Sequence, residues 1–215
     1  MHILSSTIWF PPIEDTLEDG LLAIGGDLSS ERLILAYQKG IFPWYEGDTP
    51  LWWSPDPRFV LFPEQLVISK SMHQVIKKKQ FEYKTNTSFS EVIQQCKNQP
   101  RAGQDGTWIT EAVELAYTEL HHKGIAHSAE AWQNNQLVGG LYGIKMGKLF
   151  FGESMFSKVS NASKFAFIQL VEQLKMEGIV LIDCQVYTTH LESLGATMIS
   201  RTSFKKYLEK YCYPG

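Results

Sequence analysis

A single stretch, Gly40 to Arg58, carries three of the chain's six tryptophans and four of its nine prolines. It reads Gly40-Ile41-Phe42-Pro43-Trp44-Tyr45 and then Leu51-Trp52-Trp53-Ser54-Pro55-Asp56-Pro57-Arg58. Proline fixes φ and removes a backbone donor, so the stretch is expected to be an irregular, stiffened loop rather than a helix or a central strand. Large rings on a stiff loop suit two arrangements. One is a platform that stacks a planar ligand such as a nucleobase. The other is a satellite core in which the tryptophans cover a neighbouring element, and composition alone points to that one.

With 215 residues the chain has room for one larger domain or two small ones. Its 44% hydrophobic and 20% charged residues are those of an ordinary soluble globular protein. No apolar run reaches membrane-spanning length, and Met1-His2-Ile3-Leu4-Ser5 lacks a signal-peptide pattern. Cys96, Cys184 and Cys212 are odd in number and far apart, which fits the reducing cytoplasm and neither a disulfide framework nor a zinc site. The histidines offer no helical i, i+4 pair, so no metal is expected. Charge is uneven. Residues 1–57 hold nine acids and two bases, and residues 58–84 hold six bases (Arg58, Lys70, Lys77, Lys78, Lys79, Lys84) against two acids. Such a basic segment suits a phosphate backbone, although Lys77-Lys78-Lys79 equally suits a solvated helix C-terminus.

Ser29 reads as the N-cap of a helix stopped at Gly40, and Arg58 to Phe62 as a strand. A helix is expected over 69–79, with Phe81, Tyr83 and Thr85 alternating as a strand. Ser88 and Glu91 form a capping box, and Thr110 caps a helix with Val113, Ala116, Tyr117 and Leu120 on one side. Residues 126–132, 137–144 and 149–156 read as three strands joined by hairpins. A helix over 161–177, a strand over 179–183, a short helix, a strand near 196–200 and a last helix from Thr202 complete the chain. The order is α+β and resembles the N-acetyltransferase superfamily: a mixed sheet with flanking helices over 58–215, preceded by a small N-terminal domain over 1–57. The glycine-rich pyrophosphate loop of acyl-CoA-dependent members is replaced by Phe156-Ser157-Lys158-Val159-Ser160-Asn161-Ala162. A phosphate or hydroxyl could still meet this helix N-terminus, but the loop carries no coenzyme A signature.

Seven segments, in order, resemble the leucyl/phenylalanyl-tRNA–protein transferases. They are Gly20-Leu21-Leu22-Ala23-Ile24-Gly25-Gly26-Asp27-Leu28, Gly40 to Trp44, Trp52 to Arg58, Gly106-Thr107-Trp108-Ile109-Thr110, Leu137 to Gly143, Phe151-Gly152-Glu153-Ser154-Met155-Phe156-Ser157 and Leu181-Ile182-Asp183-Cys184-Gln185. The resemblance implies transfer of leucine or phenylalanine from tRNA to proteins that begin with Arg or Lys, marking them for N-end rule degradation. The ester donor is already activated, so no cofactor is expected, and a cytoplasmic monomer without membrane contact is.

The resemblance implies Asp183 and Gln185 as the catalytic pair, with positioning favoured over proton relay because a glutamine is a poor base. Read from residues alone, Asp183 could instead cap the following turn. Glu153, an acid among apolar neighbours, calls for a cation or hydrogen-bond donors: an α-ammonium, or Lys145, Lys148 or Lys164. Trp44, Trp108 and Tyr37 are expected on the terminal adenosine, and the basic segment on the tRNA backbone. Leu141, Phe150, Met155, Leu170 and Ile182 are expected to form an amino-acid pocket, each of them equally able to be plain core. Thr188 stands where the family leads one to expect asparagine. Two rivals remain at this point: another acyltransferase of the same fold, perhaps tRNA-dependent, and a non-catalytic peptide-binding module.

Overall fold

The computed structural model describes residues 1–99 and 108–213. A four-stranded sheet forms from β1 (His2–Leu4), β2 (Leu21–Gly25), β3 (Phe42–Pro43) and β4 (Leu51–Trp53), in the order β1-β2-β4-β3. Helix α1 (Ser30–Gln38) joins β2 to β3 and is capped by Ser29, whose side chain accepts from the Arg32 N–H. The tryptophan- and proline-rich stretch is therefore not an irregular loop throughout, and β4 is a central strand. The prolines permit this by their placement. Pro50 precedes β4, Pro55 and Pro57 follow it, and Pro43 lies in the edge strand β3, so no ladder donor is lost from the middle. Strand alternation then divides the tryptophans. Trp52 is wholly buried and donates to the Gly25 carbonyl at 2.8 Å, whereas Trp53 is half-buried and donates to the Trp44 carbonyl at 2.6 Å.

The larger sheet contains β5 (Arg58–Leu61), β6 (Glu82–Thr85), β7 (Ala126–Gln133), β8 (Gln136–Met146), β9 (Leu149–Ser157), β10 (Leu181–Gln185) and β11 (Thr197–Ile199), in the order β11-β5-β10-β9-β8-β7-β6. β7, β8 and β9 are the expected antiparallel meander. Asn134 and Asn135 take φ of 52° and 61° in the first turn, which asparagine tolerates. The helices are α2 (Lys70–Lys77), α3 (Phe89–Lys97), α4 (Glu111–His122), α5 (Ala162–Met176), α6 (Thr189–Glu192) and α7 (Arg201–Tyr211). Thr110 caps α4 as its sequence suggests. The Ser88–Glu91 capping box does not form. Glu130 of β7 takes its place, accepting from the Thr87 and Ser88 N–H groups at 2.9 Å each.

Two apolar clusters line the faces of the large sheet. Under one face, α5 buries Phe165, Phe167, Ile168, Leu170, Val171 and Leu174, each worth about 1.5–3 kcal/mol relative to exposure. Under the other, one cluster runs from Leu22 and Trp52 of the small sheet through α1 to α3, α4 and α7. The small sheet is thus packed against the large one rather than tethered to it.

Pairing between β9 and β10, the one parallel pair described in the large sheet, covers Leu181–Leu149, Ile182–Phe150 and Asp183–Phe151 and then stops. Close backbone contacts support this region. A Cβ on Gly143 would lie 2.3 Å from the Phe151 carbonyl oxygen and 2.6 Å from the Phe150 ring. Gly143→Ala should therefore destabilise the protein by about 1–3 kcal/mol, the usual cost of overpacking, measured by urea unfolding against wild type.

Candidate active site

Where β9 and β10 stop pairing, a cavity of about 500 Å³ opens, bordered by residues 152–157 of β9 and 182–186 around the end of β10. Its polar side is built from three strands. β10 pairs with β5, which sets Asp183 opposite Val60 and brings Arg58 beneath the end of β10. Arg58 donates from Nε to Asp183 Oδ1 at 2.8 Å and from Nη2 to Oδ2 at 2.7 Å. The side chains are 1% and 0% exposed. Arg58 is therefore not a tRNA-backbone contact. A strand that ends in the core carries it inward, where its charge is matched by Asp183 and by the rings of Phe42 and Phe204, 4.7 and 4.8 Å away.

Asp183 also accepts from the Gln185 N–H at 2.9 Å, so both sequence readings, a turn cap and an oriented carboxylate, are present together. The extended conformation does not continue to Gln185. The register shifts there and Gln185 takes φ 64°. From this turn its Nε2 donates to Glu153 Oε1 at 2.9 Å.

Glu153 pairs with none of the lysines expected for it. The Tyr37 hydroxyl lies 2.8 Å from Oε1, the Tyr117 hydroxyl 3.1 Å from Oε2, and the two hydroxyls are in contact, so the three hydrogen bonds are all made when the carboxyl carries the third proton. Lys145 pairs with Glu177 instead. Tyr37 is thus a partner of Glu153 and not a ring on the adenosine side, because α1 buries it completely against Phe151. Burial pushes the Glu153 carboxyl up to about 8; hydrogen bonds from Tyr37 and Tyr117 oppose the rise, and the Asp183 charge adds to it. Burial also pushes both phenols well above their ordinary value, so they remain donors.

The rest of the cavity wall is apolar. Leu141, Met155 and Ile182 lie on it, but Phe150 and Leu170 do not. Phe150 packs beneath Gly143, and Leu170 lies in the α5 core cluster behind the wall. Phe167, one helical turn from Ser163, completes that side and was not picked out from the sequence. Its period along α5 matches that of ordinary core. Tyr117 was likewise assigned only to the apolar side of its helix. Trp44, exposed, and Trp108, buried, both border the cavity. Gly106 and Thr107, which precede Trp108 in its motif, lie outside the described residues. Thr188 lines the cavity and caps α6, its hydroxyl accepting from the Leu191 N–H at 3.2 Å. Ser157 does the same before α5, accepting from the Ser163 N–H at 3.2 Å. Lys70, Lys77, Lys78 and Lys79 are exposed on and just after α2, while Lys84 lies half-buried 4.9 Å over the Trp132 ring.

Comparison with known proteins places this geometry. The family model described as leucyl/phenylalanyl-tRNA protein transferase matches residues 60–209, and that of its N-terminal domain matches residues 26–56. The chain belongs to the leucyl/phenylalanyl-tRNA–protein transferase family. A relative of that name from Flavobacterium johnsoniae is 56% identical over 210 residues, covering 97% of this chain and 99% of the other. Another, from Azotobacter vinelandii, is 58% identical over 202 residues, covering 93% and 89%. Among solved structures, L-PGS from Bacillus licheniformis is similar at 13% identity and a TM-score of 0.44, over 87% of this chain and 65% of that one. At that level the likeness says nothing of activity. In this member of the transferase family, Asp183, Gln185 and Glu153 meet in one hydrogen-bonded chain at the cavity's polar end.

The raised Glu153 carboxyl has a consequence for stability. Its folded value, about 8, lies above the unfolded value near 4.5, so the folded state holds the extra proton between them. That stabilisation is complete below about pH 4.5 and is lost as the pH rises through 8. Urea unfolding of wild type and Glu153→Gln at pH 6 and pH 8.5 should show the wild type losing more stability on the rise. Parallel losses in the two proteins would contradict the assignment.

Proposed function

We propose that this protein transfers leucine or phenylalanine, and with them methionine, from aminoacyl-tRNA to the N-terminal Arg or Lys of acceptor proteins. The peptide bond so formed marks the acceptor for N-end rule degradation. Membership of the family makes the protein an aminoacyltransferase. The observation that carries the fuller reading is the cavity itself. Its apolar wall of Leu141, Met155, Ile182 and Phe167 suits unbranched-at-Cβ side chains, and its polar end presents Gln185 and Glu153. Methionine adapts to both flat and γ-branched shapes.

The donor ester supplies the driving force. The neutral acceptor amine attacks the ester carbonyl, a C–N bond forms, the tetrahedral oxyanion collapses, and the C–O bond to the terminal ribose breaks with the proton passing to that oxygen. The protein has to hold amine and ester at attack distance and to favour the charge that develops. Gln185 lines the cavity with its NH₂ committed to Glu153, which leaves its amide oxygen as the acceptor for the attacking amine. An α-ammonium entering the cavity favours the ionised form of Glu153, which then serves as its counter-charge. Trp44 and Trp108 contribute the rings for the terminal adenosine, and Lys70, Lys77, Lys78 and Lys79, with Lys84 at the margin, the surface for the tRNA backbone.

We read the fold as N-acetyltransferase-like, a reading supported by the meander followed by a parallel strand pair that opens around the cavity. Division into 1–57 and 58–215 is supported by the two sheets and by the separate matches to 26–56 and 60–209. Among the described residues no helix is long and apolar enough to cross a membrane, and we read the protein as a cytoplasmic monomer.

Incubation with radiolabelled Leu-tRNA and a peptide beginning with arginine should label the peptide, whereas labelled acetyl-CoA should not. Labelling by acetyl-CoA and not by Leu-tRNA would overturn the reading. Gln185→Glu turns the donor facing Glu153 into an acceptor, so it should bind donor yet transfer leucine about a hundredfold more slowly. Trp44→Ala and Trp108→Ala should each weaken aminoacyl-adenosine binding by about 1–3 kcal/mol, the usual loss for a stacked base, in titrations of variants whose melting shows them folded.

A further inference from the structure

We propose that Arg58 is a positioning residue for the transfer: its guanidinium clamps Asp183 and, through it, fixes the turn that presents the Gln185 amide to Glu153. This rests on the reading of the cavity as an aminoacyl-transfer site.

Every oxygen of Asp183 is engaged. Oδ1 accepts from Arg58 Nε and from the Gln185 N–H, and Oδ2 accepts from Arg58 Nη2. The side chain has no exposed surface, so it meets neither amine nor ester and takes no proton from them. What Asp183 does reach is the Gln185 N–H. A left-handed φ of 64° is unfavourable for a residue with a Cβ, and that hydrogen bond holds it. From this conformation Gln185 crosses to Glu153 at 2.9 Å instead of continuing along β10.

Arg58 supplies what this arrangement needs. Its planar fork meets both carboxylate oxygens and fixes the plane of the carboxylate as well as its position. Among the described residues the third nitrogen, Nη1, has no hydrogen-bond partner, and the rings of Phe42 and Phe204 lie 4.7 and 4.8 Å from the guanidinium carbon. Phe42 itself lines the cavity beside Pro43 and Trp44. The clamp therefore ties the aromatic wall of the cavity to the strand that carries Gln185. A lysine could neutralise Asp183 but could neither fork nor stack. Apolar residues of similar size could replace the pair without loss of the fold, but they could not hold the Gln185 N–H.

Wild type, Arg58→Lys and the double variant Arg58→Met with Asp183→Leu separate these roles. In single-turnover transfer from Leu-tRNA to the arginine peptide, both variants should be about a hundredfold slower at saturating donor, the order expected for a misplaced reacting group. The donor concentration for half-maximal rate should not change. The double variant, with no charge left unpaired, should melt close to wild type. Proton exchange of the Gln185 side-chain NH₂, followed by NMR, should be slow in wild type and fast in both variants. A folded double variant with the wild-type rate overturns the proposal, as does slowing no greater than the unfolded fraction. A wild type that transfers no leucine refutes the donor reading alone, and the NH₂ exchange then decides the clamp: protection lost in Arg58→Lys supports it, and protection kept overturns it.

Discussion

A guanidinium and a carboxylate removed from water are costly to bury, and the ion pair of Arg58 and Asp183 is tolerable because both carboxylate oxygens and two of the three guanidinium nitrogens are hydrogen-bonded. Two parallel hydrogen bonds join the ions, the Gln185 N–H adds a third to the carboxylate, and the rings of Phe42 and Phe204 lie 4.7 and 4.8 Å from the guanidinium carbon. Those partners come from β5, β10, the small sheet and α7. The pair is thus where the two sheets and the C-terminal helix are registered against each other. Shifting any of them would leave a charge exposed to apolar surroundings.

Glu153 shows a different balance. Three neutral donors surround it and no countercharge does, so burial outweighs hydrogen bonding and its carboxyl is pushed up to about 8. Beside the buried Arg58–Asp183 pair, Glu153 lies close to its titration point. An acid perturbed in this way beside a cavity is common where binding or catalysis is carried out. The Tyr37 and Tyr117 hydroxyls adapt to either form of Glu153, because each can accept as well as donate.

The opening between β9 and β10 turns this polar cluster into a site. A continuous parallel pair would have sealed it within the sheet. Pairing that ends at Asp183–Phe151 leaves Gly152 to Ser157 facing the end of β10 across a cavity, with the α5 side chains as its floor.

Much of this was legible in the chain. Hydrophobic period, caps and turn residues are local, so the meander, α1, α4 and α5 could be read with their ends, and the seven segments indicated the family. Glu153 stood out because an acid among apolar neighbours needs partners, and Asp183 and Gln185 through the resemblance to the family. The partners themselves were not legible. Arg58 looked like part of a basic surface because charge counted along the sequence does not show which lysines and arginines turn inward; antiparallel pairing with β10 decided that. Tyr37 and Tyr117 come from helices far apart in the chain, and nothing in their spacing marks two phenols that meet on one carboxylate. Phe150, Leu170 and Phe167 share the same apolar pattern, and only the depth of each beneath the sheet separates wall from core. Sequence determined which elements form and to which family the chain belongs, because period, caps, turns and motifs are properties of single residues and near neighbours. Tertiary structure decided which of those residues meet, because distance between elements depends on the packing of the whole chain.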